Sequence, residues 1–461
     1  MEWLTHHLSL ILFFVLAASL FCGFPVAFVL GGIGIMFGGL GILLGVFEPI
    51  QFFNLLPRIW GSAASNPILV AVPMFIFMGT MLERSGVAND LLHCLQVLLR
   101  RVPGGLAMSV TLMGTIMAAT TGIVGASVVM LTMIALPSML ERGYNKELAV
   151  GTIASAGTLG ILIPPSIMLV IMGDLLSVSV GALFAAAIIP GLILAFLYLL
   201  YIGGISFLQP RKAPPLPDAV GPKTSAEFWR LIGKSFFPPV FLITLVLGSI
   251  FGGWATPTEA AGVGSLGALL LAWFNGTLDR RALRDVIERT GLTNAMVFFI
   301  VFGATLFSFV FRSLGGDDLI VELLATMGIT TGWEVLSFML ILTFVLGFFF
   351  EWIEITLIVL PVFAPVLHGV DFGPHLGEGG PILFMTWFVI MMSVNLQTSF
   401  LTPPFGFTLF YMKGTVPPSI NMGHIYRGIV PFVVLQLIGL LLILAFPQIA
   451  LWLPRTVGFL K

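Results

Sequence analysis

Charge is what this chain has least of. Only 9% of its 461 residues are Asp, Glu, Lys or Arg, too few to solvate a soluble fold of that length. The formal net charge of -1 excludes the broad basic field that a nucleic-acid partner needs. The two cysteines, Cys22 and Cys94, have neither the number nor the spacing of a disulfide framework or a thiolate metal site. The six histidines include no i, i+4 pair beside a glutamate that would bind a catalytic metal. With no nucleophile, base and metal set, an enzyme is the least favoured class. The stretch LIGKS mimics a phosphate loop, but Phe228 stands where its first glycine is needed, so nucleotide hydrolysis is not encoded. The N-terminal MEWLTHH holds no Lys or Arg, and the apolar run after it is expected to stay as a helix rather than leave as a signal peptide.

What remains is strongly apolar. The chain is 58% hydrophobic, with 42 Phe and 52 Gly, and runs of about 18 apolar residues or more recur along it, each able to cross a hydrocarbon core of roughly 30 Å. An all-α polytopic membrane protein follows. Spans are expected near 3–22, 25–45, 67–82, 148–173 and 181–206, then 236–254, 258–275, 292–312, 381–412 and 429–453. Apolar stretches at 106–138 and 332–364 are expected as re-entrant hairpins.

The Pro-rich, basic segment 208–234 divides the chain almost in half and reads as a cytoplasmic linker between repeats at 1–207 and 235–461. Gly79 and Gly303, Gly104 and Gly328, and Pro137 and Pro361 lie 224 positions apart. Gly32 and Gly34 meet Gly262 and Gly264 at 230, and Pro164-Pro165 meets Pro403-Pro404 at 239, a pattern of internal duplication. Equivalent loops carry opposite charge character: LLHCLQVLLRRVPGG is basic where LIVELLATMGITTG is not, and ERGYNKE corresponds to an acidic loop from His368 to Gly380. The repeats are therefore expected to be inverted, with both termini extracytoplasmic. That topology puts sixteen of the twenty Lys and Arg on the cytoplasmic side and leaves Arg58, Arg312, Arg455 and Lys461 on the other, as the positive-inside rule demands.

Each half contains an apolar span broken by a double proline. Within GTLGILIPPSIMLVIMG the pair Pro164-Pro165 removes two backbone donors, leaving carbonyls near Gly160 and Ile161 without helical partners. Freed carbonyls in hydrocarbon are tolerated where protein or a water-filled cavity meets them, and such breaks build Na⁺ sites in transporters. Gly157, Thr158, Gly160, Pro164, Pro165 and Ser166 are the candidates here. The second break, NLQTSFLTPPFG, offers Asn395, Gln397, Thr398, Ser399, Thr402 and Pro403, whose hydroxyl and amide oxygens suit a hard, weakly held cation. Thr120, Thr121, Gly122, Gly125 and Ser127 make the first hairpin turn small and polar, a composition close helix packing also explains. The second turn, GFFFEWIEI, contains Glu351 and Glu354, and an intramembrane carboxylate is a functional hypothesis by default. By contrast, Thr256, Pro257 and Glu259 in WATPTEAAG read as a capping box that starts a helix, and Asp174 and Arg312 read as interfacial charges.

GYNKELAVGTIASAGTLGILIPPSIMLVIMG, ATPTEAAGVG, LTPPFGFTLF and FPQIALWLP resemble the large (DctM-type) permease subunit of tripartite ATP-independent periplasmic (TRAP) transporters, over nearly the whole chain. NLQTSFLTPPFGFTLFYMKG is similar to a subgroup labelled for mannitol or chloroaromatic compounds, a label that does not establish substrate. The resemblance implies Na⁺-driven uptake of a small organic acid across the bacterial inner membrane by an elevator-like movement, with Na⁺ as coupling ion and no other cofactor. It also implies a small membrane subunit and a periplasmic substrate-binding protein as partners. Family Na⁺ sites match Thr120 to Ser127, Gly157 to Pro165, Gly347 to Glu351 and Gln397 to Pro403. Many relatives read Ser-Gly-Ser-Ser at the first tip, where this chain has Thr121-Gly122-Ile123-Val124, so hydroxyl ligands are lost there. A stand-alone Na⁺/carboxylate symporter and, from another class, a channel or structural subunit are the alternatives.

Overall fold

With no water in hydrocarbon to serve the backbone, an apolar chain must close its hydrogen bonds within each segment, and the described residues form helices and no strand. The computed structural model describes residues 7–121, 124–216, 221, 224–370, 372–376, 380–403 and 406–460. Seven helices among them are long and apolar enough to cross a membrane, and Leu8–Leu20, Gly105–Met117, Gly332–Leu346 and Trp352–Leu367 are shorter apolar helices.

The order of elements recurs. In the first half, Leu8–Leu20, Val26–Leu43 and Ala71–Arg84 are followed by the amphipathic Val87–Leu98 and by a hairpin of Gly105–Thr121 and Val124–Glu141. A broken helix (Lys146–Thr158, then Ile167–Leu175) and the long Val180–Leu208 complete it. The second half runs Phe237–Phe251, Pro257–Phe274, Arg280–Ser313, the short Gly316–Thr326, a hairpin of Gly332–Leu346 and Trp352–His368, a broken helix (Gly380–Leu401, then Phe407–Thr415) and Met422–Ala445. Gly104 and Gly328 both lie between the short helix and the hairpin in left-handed backbone, with φ of +78° and +75°, which glycine adopts at little cost. Pro137 and Pro361 both lie inside a hairpin's exit helix.

Packing is reciprocal. Val26–Leu43 lies along Arg280–Ser313, and Pro257–Phe274 lies along Ala71–Arg84. Gly34 and Gly264 sit in those contacts, where a Cβ would collide with Leu306 and Met78 respectively. These outer helices show large apolar side chains such as Phe28, Phe299, Leu266 and Trp273 to the surroundings. The longer segments of the broken helices are enclosed over most of their length: every residue from Leu383 to Leu401 is buried, as is every residue from Leu148 to Thr158.

Three features differ from expectation. The last span does not run to 453; it stops at Ala445 and restarts as Gln448–Thr456, because Pro447 lacks the amide that would continue it. Residues 49–64, between the second and third spans, coil into short helices with a π-turn at Trp60–Ala64. The span expected at 292–312 begins earlier, at Arg280, where Asp279 accepts from the Ala282 amide at 2.6 Å and sets the start.

Candidate ion and substrate site at the broken helices

The first broken helix starts at the cap Asn145, which accepts from the Leu148 amide at 3.0 Å. It tightens into a 3₁₀ turn at Leu159–Ile161, which contains Gly160, and passes through Pro164-Pro165, joined by a cis peptide bond. It resumes behind Ser166. The Ser166 hydroxyl donates to the Ile161 carbonyl and accepts from the Leu169 amide. The Ile161 carbonyl, expected to lack a helical partner, is served instead by this side chain inside the break.

In the second broken helix the hydroxyls turn back on their own helix. Thr398 Oγ1 donates to the Val394 carbonyl, Ser399 Oγ to Leu396 and Thr402 Oγ1 to Thr398, each at 2.8 Å. A hydroxyl whose hydrogen is committed to a carbonyl offers only lone pairs to anything else. That donor chemistry fits Na⁺. Asn395 points elsewhere: its Nδ2 donates to the Leu340 carbonyl at 2.8 Å and to Thr343 Oγ1 at 2.9 Å, tying the helix to the second hairpin.

The breaks meet. Gln397 Nε2 donates to Thr158 Oγ1 at 3.3 Å and reaches the Tyr198 hydroxyl at 3.5 Å, while Thr158 donates to the Ser155 carbonyl at 2.9 Å. Thr158 and Gln397 are separated by the same 239 positions as the two proline pairs. Among the described residues, Gln397 Oε1, Ser155 Oγ and Thr408 Oγ1 are buried without a hydrogen-bond partner, an arrangement that costs about 1–3 kcal/mol per group when nothing serves it.

Hairpin ends close the arrangement. Gly347, which ends the entry helix of the second hairpin, lies so near Ser399 that a Cβ would collide with its hydroxyl. Glu351 caps the exit helix, and its amide donates to Glu354 at 3.1 Å, so both carboxylates carry a local capping role in addition to their charge. In the first hairpin a Cβ on Gly125 would come within 2.7 Å of the Tyr411 ring, and one on Gly157 would come within 2.5 Å of Val128. Ser127 is buried beside these contacts. Gly122 and the side chains of Thr120 and Thr121 fall outside the described residues, as does Pro404 after Pro403. The structure thus brings together Gly157, Thr158, Gln397, Ser399 and Gly347. It adds Ser155 and Tyr198 beside Thr158 and Gln397, and Tyr411 against Gly125, which sequence reasoning missed. The spacing of 239 applied to Thr158 points to Gln397 and was available.

The family description "Tripartite ATP-independent periplasmic transporter, DctM component" matches residues 12–449. The C4-dicarboxylate TRAP transporter large permease protein DctM of Pseudomonas aeruginosa is 30% identical, covering 91% of this chain and 93% of its own. The ectoine/5-hydroxyectoine large permease UehC of Ruegeria pomeroyi is 31% identical, covering 85% and 87%. The sialic acid large permease SiaM of Vibrio cholerae is 29% identical, covering 95% and 96%. Among solved structures the YdaH transporter of Alcanivorax borkumensis overlays with a TM-score of 0.61 at 15% identity, over 90% of this chain and 91% of that one. MtrF of Neisseria gonorrhoeae gives 0.53 at 14%, over 87% and 83%. At those identities the two structures show a shared fold alone. Sequence and helical architecture agree: the chain belongs to the DctM family of TRAP transporter large permeases, multi-pass membrane transport proteins and not enzymes.

Proposed function

We propose that this chain is the large subunit of a Na⁺-coupled uptake system for a small organic acid. The observation that carries it is the convergence of two interrupted helices on each other, at Thr158 and Gln397, and on a hairpin end, at Ser399 and Gly347. Lone-pair oxygens at Thr398, Ser399 and Thr402, with backbone carbonyls at the first break, form the Na⁺ sites. The N-terminal ends of Ile167–Leu175 and Phe407–Thr415 bear partial positive charge and receive the substrate's carboxylate. Relatives are named for C4-dicarboxylates, sialic acid and ectoine, which supports the acid class without selecting one.

The mechanism is an elevator. Hairpins, broken helices, Val180–Leu208 and Met422–Ala445 form the moving body, and the reciprocally packed outer helices form the scaffold. The halves 1–207 and 235–461 are inverted repeats: equivalent residues that touch, as Thr158 and Gln397 do, are what a two-fold axis between them requires. Arg84 pairs with Asp285 at 2.7 Å, and Lys146 donates to the Ser419 carbonyl at 2.8 Å. These contacts join basic residues assigned to the cytoplasmic side, with both termini across the inner membrane. A small membrane subunit and a periplasmic binding protein complete the system.

The test is reconstitution. Proteoliposomes containing this chain and its small subunit, supplied with the binding protein, should accumulate a radiolabelled organic acid only under an inward Na⁺ gradient. Uptake without either partner would select a stand-alone symporter, and non-saturating flux indifferent to Na⁺ would contradict the proposal.

A further inference from the structure

Away from the hairpin ends, a cavity of about 240 Å³ opens between the outer helices and the body described above. At about 30 Å³ for each water's share of volume, it has room for a small organic acid. Arg58, Ser62, Thr305, Ser308 and Arg312 line it from the outer side, and Asp174 and Pro361 line it from the broken helix and the second hairpin. Pro361 lies ten residues along its helix from Glu351, roughly 15 Å at 1.5 Å per residue, so this is not the space at the tips.

The polar groups favour an anion. Arg312 donates to the Pro361 carbonyl at 2.7 Å and lies 3.6 Å from Asp317, which neutralises it in part. Asp174 is occupied by Asn66, whose amide donates to it at 2.7 Å. Arg58 has no such partner: among the described residues its guanidinium engages only the face of Phe309, 4.5 Å from the ring centre. Five N–H donors in a fork that matches a carboxylate therefore stand over a cavity that also holds the Ser62 and Thr305 hydroxyls, 3.1 Å apart.

We infer that this cavity is a second binding site, an antechamber that takes the carboxylate group of an organic acid before it reaches the broken helices. Its placement between scaffold and moving body rests on the elevator mechanism proposed above, but its recognition of an anion rests on Arg58 with the hydroxyls beside it. Because charge and hydroxyls do the recognising, binding here needs no Na⁺, and succinate suffices as a probe.

The experiment is saturation-transfer difference NMR of succinate on the purified protein in nanodiscs, in Na⁺-free choline buffer, with empty nanodiscs as the control. Wild-type protein should give a signal that saturates with succinate and that, at succinate well below half-saturation, falls about tenfold in Arg58→Gln, the loss of one good charged contact at 1.4 kcal/mol. It should also fall in Ser308→Leu, which fills the cavity without altering charge, and persist in Thr402→Trp, which blocks the second break. No wild-type signal without Na⁺, or a signal surviving in both cavity variants, would overturn the antechamber. Wild-type binding that persists while Na⁺ fails to stabilise the protein would instead count against the coupled mechanism and leave the antechamber standing.

Discussion

The first broken helix approaches its double proline through Gly157, Thr158 and Gly160 and covers the Ile161 carbonyl with its own Ser166 hydroxyl. The second approaches through Thr398, Ser399 and Thr402, with three hydroxyl hydrogens already spent on its own carbonyls. The architecture is shared and the chemistry is not. Where glycines lead into the break, the proposed ligands are mainly backbone carbonyls and the side chains serve packing. Where hydroxyls lead in, the proposed ligands are the side chains themselves. The hairpins repeat the contrast: the first packs Gly125 on Tyr411 and Val128 on Gly157, while the second sets Gly347 against the Ser399 hydroxyl.

Substitutions can break that asymmetry, and the largest effect is expected at Gly347. Leucine there collides with Ser399, and overpacking of about 1–3 kcal/mol falls on a residue of the proposed Na⁺ site. Gly347→Leu should insert normally yet take up no organic acid in proteoliposomes. Next, Ser399→Ala should raise the Na⁺ concentration for half-maximal stabilisation about tenfold, or 1.4 kcal/mol, in thermal unfolding titrations. Thr158→Val, the counterpart test in the first half, should lower stability by about 1 kcal/mol through the lost hydrogen bonds while shifting the Na⁺ midpoint less than Ser399→Ala does. Equal Na⁺ shifts for the two variants would erase the distinction. The smallest effect belongs to Thr256→Ala. Thr256 caps Pro257–Phe274 with Glu259 in a reciprocal box, so stability should drop by about 1 kcal/mol and uptake should be untouched.

Much of this arrangement is legible in the sequence because it is written in residues with few physical alternatives. Gly104 and Gly328 recur at 224 because both occupy left-handed backbone. Gly34 and Gly264 recur at 230 because both admit a neighbouring helix. The capping box at Thr256 is equally readable, since it is local. Contacts made by the fold were not. Arg58, Asp174 and Arg312 look like unrelated interfacial charges along the chain and share one cavity only after folding. Tyr411 gives no sign in its neighbours that it will meet Gly125. Glu351 carries a cap as well as a charge, and a run of aromatic residues before it hides the helix start.

The most direct measurement is the thermal unfolding midpoint of the purified protein, with its small subunit, across matched NaCl, KCl and choline chloride series. A ligand held only by the folded state adds RT ln(1 + [L]/Kd), about 2.7 kcal/mol at 100 times Kd. A saturating rise in NaCl alone, weakened by Ser399→Ala and abolished by Gly347→Leu, is the expected result. Identical midpoints in all three salts would contradict a Na⁺ site at the broken helices.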